Sequence, residues 1–255
     1  MDKVTINKEL CTGCGQCVKD CVAAALTVEG GKAKLREGCI ECGHCFAICP
    51  VGAIDMPAYS KEGCGDYVPM TDIDSDTLLE AMKSRRTIRH YKDTPVEQEK
   101  IDKILEAGRY APTGANKQNV AFTILGSRQD ELEKSCVSLF RAGVNIGKHF
   151  SQSLKNNNID DRFFFKGAPL VIVVSGSNSV DATLASAYME LEANSLGLGV
   201  LYSGFFVACT YLNPAIKAKL KLPRGHKAVT CMIIGYPDVK YKRIAPRKPI
   251  KFKKL

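Results

Sequence analysis

From about residue 75 onward, apolar positions alternate between the three-to-four-residue step of amphipathic helices and the two-residue or unbroken runs of strands. Ser75 or Asp76 can cap a helix running to about Ser84. Thr94-Pro95-Val96-Glu97 reads as a capping box with proline at the first helical position, opening a helix through Val96, Ile101, Ile104, Leu105 and Tyr110. Val120 to Leu125 alternates as a strand, and Gln129 to about Phe150 carries helix-spaced Leu132, Cys136, Leu139 and Phe140. Leu170 to Val174 is a fully apolar strand, Asp181 to Leu196 a helix stopped by Gly197, Pro214 to Leu220 a short helix, and Ala228 to Ile234 a last strand. Asn156-Asn157-Asn158 beside Asp160-Asp161 reads as a mobile loop or lid. The sum is an α+β or mixed α/β unit.

Before residue 58 the texture differs, because cysteine punctuates it. The spacing C-x-x-C-x-x-C-x-x-x-C occurs at Cys11, Cys14, Cys17 and Cys21 and again, offset by 28 residues, at Cys39, Cys42, Cys45 and Cys49. The flanks repeat too, Cys21-Val-Ala-Ala-Ala-Leu-Thr-Val echoing Cys49-Pro-Val-Gly-Ala-Ile-Asp-Met, so one unit has been duplicated. Soft thiolates at such short intervals suit an iron–sulfur cubane. A structural zinc site would show two short pairs of ligands separated by a longer spacer, and no such spacer is present here. Each run can supply three ligands to one cluster and lend its fourth to the other. Over about residues 2 to 57 the chain resembles the two-cluster bacterial ferredoxins. The resemblance implies a compact pseudo-twofold pair of hairpins and short helices around two 4Fe-4S clusters. One would be held by Cys11, Cys14, Cys17 and Cys49, the other by Cys39, Cys42, Cys45 and Cys21. So small a segment would lean on the clusters for stability. Residues 58–73, with Gly63, Gly65 and Pro69 and no periodicity, read as a linker.

A second constellation opens the larger region. Ser84-Arg85-Arg86-Thr87-Ile88-Arg89-His90-Tyr91 sets three guanidiniums and a hydroxyl within five residues at a helix end. Bidentate arginines are natural partners of a phosphate; a solvated basic turn is the plainer alternative. From about residue 76 to 252 the chain resembles the nitroreductase family of FMN enzymes. The likeness runs through Arg85-Arg86-Thr87-Ile88-Arg89, Ala111-Pro112-Thr113-Gly114-Ala115-Asn116-Lys117-Gln118, Gly197-Leu198-Gly199 and Pro246-Arg247-Lys248-Pro249. It implies that Arg85, Arg86, Thr87 and Arg89 contact the FMN phosphate and ribityl chain, with Arg247 and Lys248 closing from the C-terminal end. It implies a homodimer in which Pro112, Thr113, Asn116 and Gln118 reach the flavin of the partner subunit. It lays Leu201, Tyr202, Ser203 and Gly204 along the isoalloxazine ring. The chain departs from better-known bacterial nitroreductases in lacking an acidic residue near that last stretch and a tryptophan where Asn119-Val120 stands.

Composition adjusts this picture at three points. A chain of 255 residues, 45% hydrophobic and 25% charged, has the make-up of a soluble globular protein. Its apolar stretches near Ala168 to Val174 and Gly197 to Leu212 are too short or too broken to span a bilayer, and the N-terminus has no apolar signal region, so no membrane partner and a cytoplasmic location are expected. Thiolate ligands need a reducing compartment. Of the four remaining cysteines, Cys136, Cys209 and Cys231 read as buried small hydrophobes and Cys64 as exposed. The net charge of +9 and the basic stretch from Lys240 to Leu255 invite a nucleic-acid reading. Two oxidised clusters and a flavin phosphate would bring roughly six negative charges, and the tail interleaves only Tyr236, Tyr241 and Phe252, so no nucleic-acid partner is expected. His44 reads as a surface residue; His90, His149 and His226 show no partner pattern. Phe163-Phe164-Phe165 reads as dimer-interface packing, with a lid over the flavin as the alternative.

The expectation is therefore an α+β chain with a two-cluster ferredoxin domain at 1–57, a linker at 58–73 and an FMN-binding, nitroreductase-like domain at 74–255 whose mixed sheet is surrounded by helices. Its expected activity is that of a homodimeric FMN oxidoreductase of an anaerobic or microaerobic cytoplasm. A low-potential, ferredoxin-like carrier would donate electrons through the clusters to FMN, and a small conjugated acceptor (nitro compound, quinone or enone) would receive them. The alternatives are an NAD(P)H-driven flavin reductase exporting electrons through the clusters, and a non-enzymatic redox sensor or electron-transfer protein.

Overall fold

The computed structural model describes residues 3–147 and 159–255. The chain divides into two compact units: Met1–Met70 together with Thr113–Gln118, and Thr71–Pro112 with Asn119–Leu255.

In the first unit, β1 (Thr5–Ile6) pairs antiparallel with β4 (Ile54–Asp55), and β2 (Leu26–Glu29) with β3 (Lys32–Leu35). The two helices are α1 (Gln16–Lys19) and α2 (His44–Ile48), four and five residues long. Helices of that length do not persist alone, so packing must hold them. The core is correspondingly small: Val4, Leu26, Ala33, Ala53, Ile54 and Met56, completed by Cys11, Cys17 and Cys45. The first cysteine loop lies so close to the β2–β3 turn that a Cβ on Gly13 would come within 2.1 Å of the Gly31 carbonyl oxygen, and Gly13 has φ +69°. Only glycine fits there.

The second unit is built on an antiparallel sheet of order β5-β6-β8-β7, formed by β5 (Val120–Ile124), β6 (Leu170–Gly176), β7 (Gly199–Tyr202) and β8 (Lys227–Gly235). Central β6 is buried along its whole length. Its side chains alternate between two cores. Val171 and Val173 join Cys231 and Ile233 of β8 on one face; Leu170, Ile172 and Val174 join Met232 and Ile234 on the other. An unbroken apolar run is what a strand covered on both faces requires. The first face carries α5 (Gln129–Gly147), α7 (Gly204–Leu212) and α8 (Pro214–Lys219), and the second carries α4 (Gln98–Arg109) and α6 (Ser179–Ser195). Helix α3 (Ser75–Ser84) opens the unit. Among the described residues no helix is long and apolar enough to cross a membrane.

Several expectations are corrected in detail. Asp74 caps α3, its carboxylate accepting the Thr77 N–H at 2.8 Å, one residue before the expected cap. The box at Thr94–Glu97 does not form: α4 begins at Gln98, Glu97 is extended, and its carboxylate accepts the Tyr236 hydroxyl at 2.6 Å. Strand β7 and helix α7 are elements that the sequence pattern does not predict. Phe164 and Phe165 are buried in the unit's own core, where Glu133 of α5 accepts their N–H groups at 3.0 and 2.7 Å and Phe140 meets Phe164 edge-on at 5.0 Å. These two rings are interior packing of the unit, whereas Phe163 is half-buried against Phe140 and Phe205. The expected end of the helix at Phe150, His149 and the Asn156–Asn158 loop lie outside the described residues.

Candidate cluster and flavin sites

The eight motif cysteines separate into two cavities. Cys11, Cys14, Cys17 and Cys49 line one, and Cys21, Cys39, Cys42 and Cys45 line the other. The fold produces this exchange of the fourth cysteine. Each run wraps three cysteines around a loop and the first turn of α1 or α2, and the fourth leaves the helix toward the opposite cavity. Main-chain N–H groups point at the sulfurs: Ala33 to Cys11 and Ala53 to Cys49 at 3.3 Å, Ala25 to Cys21 at 3.3 Å and Glu41 to Cys39 at 3.4 Å. Burial pushes the Cys45 thiol up to about 11 and raises Cys17, whereas N–H donors of Ala33 and Gly13 hold Cys11 below its ordinary value. A buried thiolate without a cation is costly, and iron would supply the cation. Among the described residues no three His, Cys, Asp or Glu side chains are gathered tightly enough for a single metal ion. Four cysteines line each cavity, three from one C-x-x-C-x-x-C run and the fourth from the other, and that all-thiolate set fits a 4Fe-4S cluster.

In the second unit the basic motif lies against the edge of the sheet. Thr87 bridges to Val200 in the parallel sense, and the Ile88 N–H donates to the Val200 carbonyl at 3.1 Å. The approach is tight: a Cβ on Gly199 would sit 2.3 Å from the buried Ile88 side chain. Two motifs distant in sequence, 85–89 and 199–204, are thereby fixed side by side. Leu201 and Tyr202 end β7, Ser203 is buried with its N–H on the Cys231 carbonyl at 2.8 Å, and Gly204 opens α7. The Tyr202 hydroxyl donates to the Ser186 carbonyl at 2.9 Å, and burial raises it.

The Arg85 guanidinium donates to Glu190 of α6 at 2.7 Å, leaving other N–H groups for an anion. Arg86 stands over the Tyr241 ring at 5.6 Å, and the Tyr241 hydroxyl reaches the Thr87 carbonyl at 3.4 Å. Arg89, Arg247 and Lys248 are exposed. Pro112 closes one stretch of the second unit, but Thr113, Asn116 and Gln118 belong to the first. There the Asn116 amide donates to the Glu41 carbonyl at 2.7 Å and the Ile40 carbonyl at 3.4 Å, both between Cys39 and Cys42, and the Gln118 N–H donates to the Thr113 hydroxyl at 3.0 Å. Ala115, Asn116 and Gln118 have φ of +51°, +51° and +46°. Such left-handed backbone in non-glycine residues costs of order 1–3 kcal/mol apiece and concentrates at functional sites.

Four residues were missed by sequence reasoning. Glu190 carried one signal, an acid within the apolar run around Met189 and Leu191. Tyr91, whose hydroxyl lies 2.9 and 3.1 Å from the Ile88 and Ile233 carbonyls, and Tyr241 carried none. His226 is partnered after all: Nε2 lies 2.5 Å from the Asn119 side-chain oxygen and Nδ1 3.3 Å from the Ser175 hydroxyl.

Comparison with known proteins defines the class. Residues 82–236 match the nitroreductase family model and residues 3–50 the 4Fe-4S dicluster domain model. The chain belongs to the nitroreductase family and is an FMN-dependent oxidoreductase carrying an N-terminal 4Fe-4S ferredoxin domain. It is 28% identical over 177 residues to the FMN reductase (NAD(P)H) of Bacillus subtilis, covering 63% of this chain and 66% of that one. It is also 42% identical over 55 residues to a ferredoxin of Pyrobaculum islandicum, covering 21% and 51%. In structure it is similar to a nitroreductase with bound FMN from Desulfitobacterium hafniense, with TM-score 0.58 and 22% identity, covering 71% of this chain and 100% of that one. A second FMN-bound nitroreductase, from Bacteroides fragilis, has TM-score 0.57 and 23% identity over the same shares.

Proposed function

We propose that the ferredoxin-like unit is the entrance for electrons: a low-potential, ferredoxin-like carrier delivers them, and a small conjugated acceptor receives them from FMN at the interface of a cytoplasmic homodimer. When bound, the clusters would supply one-electron transfer and FMN the conversion between one- and two-electron chemistry. Cys11, Cys14, Cys17 and Cys49 would hold one 4Fe-4S cluster and Cys21, Cys39, Cys42 and Cys45 the other. Arg85, Arg86, Thr87 and Arg89 would bind the FMN phosphate and ribityl chain, with Glu190 orienting Arg85 and with Arg247 and Lys248 completing the charge. Leu201, Tyr202, Ser203 and Gly204 would lie along the ring, and Pro112, Thr113, Asn116 and Gln118 would reach the flavin of the other subunit in the dimer.

The single observation that carries this reading is Asn116. The segment Thr113–Gln118, assigned to flavin contact, is strained and is bonded to the peptide groups between Cys39 and Cys42. One stretch of backbone thus serves both the cysteine site and the flavin assignment. The test is Cys42→Ala in the holoprotein. It should damage one cluster, leave FMN bound, abolish ferredoxin-driven turnover and spare flavin reduction by dithionite. Ferredoxin-driven turnover equal to the parent's would remove the clusters from the entry route. The similarity to FMN reductase (NAD(P)H) favours a second reading, in which NAD(P)H reduces the flavin and the clusters export electrons. Stopped-flow reduction by NADH, NADPH and reduced ferredoxin in parallel separates the two.

A further inference from the structure

The two cysteine cavities differ in the fixed charge around them. At the cavity of Cys11, Cys14, Cys17 and Cys49, the Lys32 ammonium donates to the Cys11 carbonyl at 2.6 Å. Lys8 hydrogen-bonds the carbonyl of Ala33, whose own N–H points at the Cys11 sulfur at 3.3 Å. Both lysines are thus tied to peptide oxygens, and their charges stay beside the cavity. At the cavity of Cys21, Cys39, Cys42 and Cys45, the nearby cation is spent. Lys3, which reaches the Cys39 carbonyl at 3.3 Å, is paired with Glu41 at 2.8 Å, and Glu41 lines that cavity. Asp20 flanks the same side in a surface hollow with Cys42 and His44. The local sum is two positive charges at the first site and neutral to negative at the second.

We propose that Lys8 and Lys32 tune the two sites apart, making the Cys11, Cys14, Cys17 and Cys49 cluster the one reduced first and the Cys21, Cys39, Cys42 and Cys45 cluster the low-potential one. The inference rests on the two-cluster reading above. Each reduction adds one electron to one cluster and breaks no bond, so the reduced state carries one more negative charge. A cation held nearby favours that state, and a carboxylate opposes it. The order has a functional sense. The second run, which Asn116 grips, would present the more strongly reducing electron, while the first site stores the other.

The experiment is a redox titration of the iron-loaded full-length protein, followed by electron paramagnetic resonance. Two reduction steps are expected. In the Lys8→Gln/Lys32→Gln double variant the higher step should fall by about tenfold in its equilibrium constant, equivalent to about 59 mV for one electron, with the lower step nearly unmoved. Lys8→Arg/Lys32→Arg should restore the parent value, which a merely structural loss would not predict. Glu41→Gln should move the lower step upward instead, and it gives an independent reading should the lysine variant fail to load iron. Higher and lower steps that stay put in these variants, or a lysine variant that shifts the lower step, would overturn the inference while the clusters stand. Iron well short of about eight per parent chain would overturn the two-cluster reading with it.

Discussion

The two units are held together by different means. In the first, 4- and 5-residue helices and two-residue strands surround a core in which Cys11, Cys17 and Cys45 stand among the buried residues, so the side chains that would bind metal are also the packing. In the second, β6 and β8 lie buried between two helical layers, and the core needs no ligand to close it. The first unit carries its candidate site in its core. The second carries its candidate site at the edge of the sheet, where Thr87 and Ile88 join β7. A core made of ligands is tightly specified by sequence but conditional on metal, whereas a core made of aliphatic side chains tolerates a site rearranged at its rim.

The largest effect that should split the units is removal of iron. Chelation of the reduced holoprotein is expected to unfold the first unit, since binding free energy of a metal centre is folding free energy in so small a domain, and to leave the second folded. Limited proteolysis should then cut within residues 3–57 while the sheet core stays protected. Joint loss of both units would show one cooperative body. The reverse experiment is Ile172→Ala. Ile172 is fully buried on the central strand, and the cavity should destabilise the second unit by about 2–5 kcal/mol in denaturant titration, with iron content unchanged.

The difference between the units also explains what the sequence disclosed. Ligand chemistry needs particular residue types at particular spacings, so the eight cysteines stand out in the repeat, and the two groups that the ferredoxin resemblance implies are the groups that line the two cavities. Strand β6 was legible because burial on both faces leaves only apolar residues. Strand β7 and helix α7 were not, since residues 199–212 are apolar at nearly every step and no period distinguishes strand from helix there. The box at Thr94–Glu97 misled because a tertiary partner, Tyr236, takes the Glu97 carboxylate that the local motif required. The Arg85–Glu190 pair spans 105 residues, a separation no local pattern reports.

A smaller effect should confine itself to the rim of the second unit. Arg85→Ala removes a charge-assisted contact worth about 1.5–3 kcal/mol, so FMN should be held one to two decades more weakly with iron unaltered. The variant also leaves Glu190, a nearly buried carboxylate, without its cation, so some loss of thermal stability should accompany it. FMN titration of the flavin-stripped protein is the measurement, and an unchanged dissociation constant would end the phosphate assignment of Arg85.

The smallest expected effect tests whether the second unit tolerates a charge in its own interior as the first does around its cavities. Glu133 is buried beside Phe164 and Phe165; burial raises its carboxyl above the ordinary value, more than their two N–H bonds lower it. A carboxyl whose folded value is raised stabilises the fold most below its unfolded value, and that contribution is lost as pH rises through the folded one. At neutral pH the ionised side chain should therefore cost stability. Glu133→Gln keeps an oxygen to accept the Phe164 and Phe165 N–H groups and removes the charge. The variant should melt slightly above the parent near pH 7, and the gap should close as pH is lowered to the ordinary carboxylate range, where the parent becomes neutral too. A gap that widens on acidification would mean that the Glu133 charge stabilises the unit and that its two N–H bonds outweigh burial.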